Sequence, residues 1–275
     1  MKLKMPEIMV LVAPNGARLT KKDHPAIPLK AADIALCAEQ CFDAGASMIH
    51  VHVRDDDGSH ILDCTRYMRV IEAIKNRIGN KLVIQITTES VGRYSASQQK
   101  QLVRDIVPEA VSLALRELLP DEKDIASFSD FWSWMKSKKI WPQVILYNDN
   151  EIQQFIRLQK MGVFGHDHCD VLFVAGRYQG HMGTPREITP CLLSLANIDH
   201  ISWSVCAFGR YENACVALAA SLGGHIRVGF ENNLYMADGK LAQNNADLVL
   251  QAKKIANLVG RELVTGRYLR SIKQI

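Results

Sequence analysis

The feature that most constrains this chain is a rhythm: short apolar, β-branched runs alternate with longer helix-like stretches along its 275 residues. Eight runs can be counted, at Ile8–Ala13, Met48–Val53, Leu82–Thr87, Val111–Leu115, Val144–Tyr147, Val171–Ala175, Ile201–Cys206 and Ile226–Phe230. Helix patterns lie between them, among them Ala31–Ala44, Thr65–Arg77, Ser129–Lys138, Glu151–Met161 and Gln243–Val259. Parallel strands cannot be joined by a tight hairpin; they need a crossover, usually a helix, so sustained alternation predicts a parallel sheet. Eight such units with no linker-like or low-complexity segment predict that the sheet closes. The expected fold is α/β, a single-domain (β/α)8 TIM barrel over residues 1–275. An open dinucleotide-binding sheet would need a glycine-rich turn after its first strand, and Pro14-Asn15-Gly16-Ala17 does not supply G-x-G-x-x-G.

Composition enters by exclusion. No run of 18 or more apolar residues exists, so no transmembrane helix is expected, and the apolar stretch after Met1 is too short for a signal-peptide core. Seven cysteines, an odd number without repeated spacing, point to free thiols in a reducing compartment and hence to a cytoplasmic protein. Cys37 and Cys41 sit one helical turn apart with no second pair to complete a zinc ribbon, and read as small buried residues. The net charge of +4 is not gathered into basic runs, so neither nucleic acid nor membrane is an expected partner; a mild preference for small anionic ligands is.

A barrel places its chemistry at the C-terminal ends of its strands. The second run reads Met48-Ile49-His50-Val51-His52-Val53-Arg54-Asp55. Side chains alternate along a strand, so His50 and His52 share one face while Ile49, Val51 and Val53 take the other. The apolar face belongs against the helices, which leaves both imidazoles in the barrel mouth as a platform for Zn²⁺. Glu231, directly after the eighth run, is the expected third ligand; two histidines and a carboxylate leave positions open for substrate. His166-Asp167-His168-Cys169 resembles a metal site as a string, but it precedes the sixth strand and is expected on the opposite, non-catalytic face.

At these residues the chain resembles the β-keto acid cleavage enzymes, the family typified by 3-keto-5-aminohexanoate cleavage enzyme. The resemblance runs nearly end to end and rests on Asn15-Gly16-Ala17, Ala44-Gly45-Ala46, the segment His50 to Gly58, Ile84-Gln85-Ile86-Thr87-Thr88, and Gly223 to Asn233. It implies a zinc ion held by His50, His52 and Glu231, and an acyl transfer in which a β-keto acid reacts with acetyl-CoA as co-substrate to leave acetoacetate and an acyl-CoA. It also implies a homo-oligomer. Arg227, four residues before Glu231, matches the arginine that steadies oxyanion or carboxylate charge. Where the family carries an acid after the glutamate ligand, acting as base through a serine on the third strand, this chain has Asn232 and Thr87. An amide cannot take that proton at neutral pH. Ala114-Leu115-Arg116-Glu117 replaces the family's Asn-Ala-Gly-Thr segment, which makes Glu117 a candidate substitute base. Asn15 and Arg18 are expected to meet the substrate. Arg18 stands where the type enzyme has an acid suited to an amino group, so a substrate with an anionic tail is expected here.

Two rival readings follow from the same residues. A metal-dependent barrel hydrolase also opens with His-x-His, but the fifth run ends Leu146-Tyr147-Asn148 and the sixth Val174-Ala175-Gly176, without the histidines such sites add. The other rival is a catalytically impaired member that keeps the site and binds a keto acid or acyl-CoA, for which Asn232 is the main argument.

Overall fold

The computed structural model describes residues 6–165, 168–177 and 180–275. Its eight barrel strands are Val10–Val12, Met48–Val51, Val83–Thr87, Ala110–Ala114, Trp141–Leu146, Cys169–Ala175, Ile201–Ala207 and His225–Val228. They close into one barrel, and every neighbouring pair is parallel. Helices cross between successive strands, for example Ala31–Ala44 after the first, Cys64–Ile78 after the second and Asn245–Leu258 after the eighth. No described helix is long and apolar enough to cross a membrane. A barrel of this kind hosts many chemistries, so the fold positions the site but does not choose its reaction.

Strand alternation sorts the side chains into layers. Val10, Val12, Ile49, Val51, Ile84, Ile86, Val111 and Leu113 point outward and join the core beneath the helices, packing with residues such as Ile34, Tyr67, Ile74 and Val103. The opposite parity points inward. Near the strand N-termini it is apolar, with Met9, Leu11, Met48, Val83, Ala110 and Trp141 capped by Val264 and Leu269. The C-terminal helix Gly266–Lys273 seals this end: Lys273 Nζ lies 2.6 Å from both oxygens of Asp170, which also accepts Trp141 Nε1–H at 2.8 Å. One layer higher the interior turns polar, with His50, Gln85, Gln143 and Ser204 all buried.

Two strands end two residues earlier than their apolar patterns predict, and each early end builds part of the mouth. The second stops at Val51; Val53–Arg54 instead pairs antiparallel with His60–Ile61. His52, in the gap, has its main chain satisfied by the side chain of Asn15, whose Nδ2 donates to His52 O at 3.0 Å and whose Oδ1 accepts His52 N–H at 3.3 Å. An amide side chain thus replaces the strand neighbour that a buried backbone would otherwise need. The eighth strand stops at Val228 because Gly229 takes φ +135°, where a Cβ would lie 2.3 Å from the Ala13 carbonyl oxygen. Of the histidine-rich string before the sixth strand, His166 and Asp167 lie outside the described residues. His168 lines a hollow with Met9, His225 and Lys273, on the face opposite the strand C-termini.

Candidate metal centre and active site

His50 and His52 turn their Nε2 atoms toward each other at 3.1 Å. Glu231 Oε2 lies 3.2 Å from His52 Nε2 and 3.7 Å from His50 Nε2. The three residues are 1%, 1% and 7% exposed. Among the described residues this is the group of histidine, cysteine and acidic side chains whose ligand atoms converge closely enough for one ion.

The proton positions on His50 follow from a chain of hydrogen bonds across the barrel. The carbonyl of Val171 can only accept, so the Ser204 hydroxyl donates to it at 3.2 Å. Ser204 Oγ then accepts from Gln143 Nε2 at 3.1 Å, Gln143 Oε1 from Gln85 Nε2 at 3.2 Å, and Gln85 Oε1 faces His50 Nδ1 at 2.8 Å. That nitrogen therefore carries the proton, and Nε2 presents a lone pair to the centre. Burial, with the Arg227 charge added, holds the His50 imidazole well below its usual range, so the ring is neutral.

Glu231 faces the opposite balance. Burial acts to raise its carboxyl, but the Arg227 guanidinium beside it holds it well below the ordinary carboxylate range. Arg227 donates to Glu231 Oε1, while Oε2 is buried without any hydrogen-bond donor. A bare carboxylate oxygen beside an imidazole lone pair is an arrangement that a divalent cation completes, and a donor set of two imidazoles and one carboxylate suits zinc. The residues fit the metal that the sequence resemblance implies.

The glutamate's loop is held firmly. Glu231 N–H donates to Ala13 O at 3.0 Å, Phe230 N–H to Asn245 Oδ1 at 2.8 Å, and Asn233 Nδ2 to Glu212 Oε2 at 3.1 Å. Burial pushes the Glu212 carboxyl up to about 8.

Above the triad opens a cavity of 330 Å³ whose lining includes Arg18, Thr87, Glu117, Arg227 and Asn232 together with the two histidines and Glu231. The structure thus brings together all but one of the residues singled out from sequence. The exception is Asn15. It is fully buried, its amide is saturated by the Pro28 carbonyl and the His52 main chain, and it does not line the cavity. Its place is behind His52, holding that ligand's backbone, which corrects the substrate contact expected of it. Glu117 reaches the cavity as expected, from the short helix Leu115–Leu118, and one of its oxygens accepts Ser90 N–H at 3.0 Å. Thr87 Oγ1 accepts Glu89 N–H at 3.0 Å. Asn232 Oδ1 accepts Arg227 Nε–H at 3.2 Å, and its Nδ2 is buried without a partner.

Among the wall residues that the sequence reading did not assign to the site are Glu89, Arg116, Tyr147 and Arg177. Glu89 carried the same signal that singles out Glu231, an acid just past an apolar strand, and it shares the parity of Gln85 and Thr87. Arg116 stacks 3.5 Å from the Tyr147 ring centroid, with Glu151 at 3.7 Å. A larger hollow of 850 Å³ opens on the opposite face, but its buried acid, Asp170, is already paired with Lys273 and Trp141. The convergent chemistry lies at the strand C-termini, where a barrel of this kind puts it.

The family described as beta-keto acid cleavage enzyme matches residues 7–275. The 3-keto-5-aminohexanoate cleavage enzyme of Fusobacterium nucleatum subsp. nucleatum is 30% identical over 276 residues, 98% of each chain. The 3-oxoadipate:acetyl-CoA acetyltransferase of Cupriavidus necator is 27% identical over 271 residues, 96% of this chain and 93% of its own. The oxaloacetate complex of ObcA superposes with a TM-score of 0.74 over 91% of this chain and 67% of that one; at 15% identity the likeness speaks for the fold alone. A family match across the whole barrel, with a relative at this identity along almost its full length, makes the chain a member of the β-keto acid cleavage enzyme family.

Proposed function

We propose that this enzyme cleaves a β-keto acid with acetyl-CoA, and that it does so at one zinc ion held by His50, His52 and Glu231. The substrate's acyl group passes to the CoA sulfur, and the acetyl group passes to the carbon that the acyl group left. The products are an acyl-CoA and acetoacetate. The observation that carries the reading is the triad itself: two imidazole nitrogens and an unpartnered carboxylate oxygen converge in a buried mouth. The names of relatives that couple keto acids to acetyl-CoA support the chemistry. When bound, zinc supplies Lewis acidity toward the keto and carboxylate oxygens of the substrate.

The chain's own groups divide the remaining work. Arg227, fixed by Glu231 and Asn232, places positive charge at the cavity floor, where carboxylate or oxyanion charge develops. Asn232 offers its free Nδ2–H to a substrate oxygen. Glu117 is the proposed proton acceptor, with the Thr87 hydroxyl beside the path. Arg18, with Arg116 and Arg177 on the same cavity, favours a keto acid whose far end is anionic. Arg18 is exposed at the mouth, so solvent screens it. Its reversal in Arg18→Glu is expected to lower kcat/KM for such a substrate by about tenfold, below the two to four orders that a fully buried pair could give.

The test combines metal content with turnover. Protein purified without chelators is expected to carry one zinc per chain and to form acetoacetate from acetyl-CoA and at least one of an acidic, a neutral and an amino-bearing β-keto acid. Glu231→Gln is expected to lose both metal and turnover. A zinc-loaded protein that turns over none of the panel would favour the silent binding protein, for which Asn232 in place of an acid is the supporting observation.

A further inference from the structure

We infer that Glu89 is the carboxylate that accepts a hydrogen bond from His52 Nδ1–H, fixing that ligand's tautomer and raising its basicity toward the metal; this rests on the metal-site reading above. The two imidazoles differ in what stands behind them. His50 has a neutral amide, Gln85 Oε1, at 2.8 Å from its Nδ1. His52 turns Nε2 to the centre in the same way, which leaves its proton on Nδ1. That nitrogen is buried without a hydrogen-bond partner, in a residue only 1% exposed, so neither protein nor solvent otherwise satisfies it. The group that faces it is Glu89, with Oε2 at 3.8 Å.

The distance is that of an ion pair, slightly beyond a hydrogen bond. What surrounds Glu89 explains why a carboxylate can close it. Both ends of its peptide are held: its N–H donates to Thr87 Oγ1 at 3.0 Å, and its carbonyl faces His60 Nε2 at 2.9 Å. The His60 ring in turn packs against His52, centroids 5.1 Å apart. The main chain is therefore fixed beside His52, while the Glu89 side chain, 26% exposed at the cavity wall, keeps room to turn. Glu89 stands on the far nitrogen of the ring, so it acts through His52 and is a positioning residue. Outer carboxylates of this kind typically change metal affinity by about 10- to 100-fold.

Metal-free wild type, Glu89→Gln, Glu89→Ala and Glu89→Asp would be titrated with Zn²⁺ against a chromophoric chelator, and separately with Co²⁺ to record its visible absorption. Circular dichroism and thermal melts establish that each variant is folded. Glu89→Ala is expected to weaken zinc binding by about 10- to 100-fold. Glu89→Gln, nearly isosteric and retaining an acceptor oxygen without the charge, should fall between it and wild type. Glu89→Asp should recover part of the loss, and the Co²⁺ spectrum should shift in both Gln and Ala variants. Zinc affinity and Co²⁺ spectra equal to wild type in the Gln and Ala variants overturn the inference. Wild type that binds neither ion overturns it together with the metal reading. Wild type that binds zinc but processes no keto acid sinks the proposed reaction and leaves the role of Glu89 to be judged by the titrations.

Discussion

Asn232 shows how one residue can be read from sequence as a departure and yet acquire its meaning from neighbours that sequence does not place. An arginine nitrogen can only donate, so Arg227 Nε at 3.2 Å obliges the amide oxygen to face it. The amide nitrogen is then left as a donor, buried in a residue 5% exposed and lining the cavity. Glu231 sits beside it, so a second carboxylate there would meet both a like charge and a substrate oxygen. Asn232→Asp is therefore expected to lower kcat/KM by about 10²-fold, the scale on which a single oxyanion donor acts. A gain in turnover would instead show that this position serves best as a base. Glu89 makes the complementary point. Its identity and parity were in the sequence, but the unsatisfied nitrogen that gives it a task belongs to His52, 37 residues earlier in the chain.

At the level of elements, alternating apolar runs located all eight strands, and the alternation of the second run turns His50 and His52, the latter just past the strand's end, to the cavity at the barrel mouth. Where the second and eighth strands stop was not legible, because their ends are set by contacts distant in sequence. The second ends where the Asn15 amide takes over the backbone of His52, 37 residues along the chain. The eighth ends where Gly229 passes so close to Ala13 that no side chain fits. The same turn then lets Glu231 N–H reach Ala13 O at 3.0 Å, which fixes the carboxylate over the histidines. Gly229→Ala would add a Cβ at 2.3 Å from a backbone oxygen, at a φ that L-residues rarely adopt. The turn must move, and a cost of about 1–3 kcal/mol is expected for the strained backbone. Zinc affinity should fall along with the melting temperature, because Glu231 rides on the displaced turn. A variant that melts lower but binds zinc as tightly as wild type would show that the turn serves stability alone.

The whole barrel carries a cost that its polar interior makes specific. His50 and His60 are buried and His225 is half-buried, and all three are neutral rings. Burial is the first cause in each case, and it sets His60 and His225 at about 3 and His50 well below its usual range. Arg261 and Lys273 add to the effect at His225, whose Nδ1 must stay unprotonated to accept Met9 N–H at 3.0 Å. Below pH 6.5, the ordinary histidine value, the unfolded chain takes up protons that these folded rings refuse, so stability falls as pH falls. Glu212 works the other way: with its carboxyl raised to about 8, the folded chain holds a proton that the unfolded chain releases above about 4.5, so its contribution improves as pH falls through that window. Burial raises Glu89 and Glu151 in the same sense as Glu212, and lowers His168 in the same sense as the other rings, so four histidines stand against three carboxyls between about pH 6.5 and 4.5. The metal-free protein is therefore expected to lose stability across that range, each buried histidine contributing about 1.4 kcal/mol per pH unit. His225→Asn separates this from general acid sensitivity, because an amide oxygen can accept the Met9 N–H without titrating. Denaturant midpoints of both proteins from about pH 7.5 to 4.5 should show a shallower slope for the variant, by about 1.4 kcal/mol per unit. Equal slopes would mean that His225 charges freely in the folded barrel and that the acid sensitivity arises elsewhere.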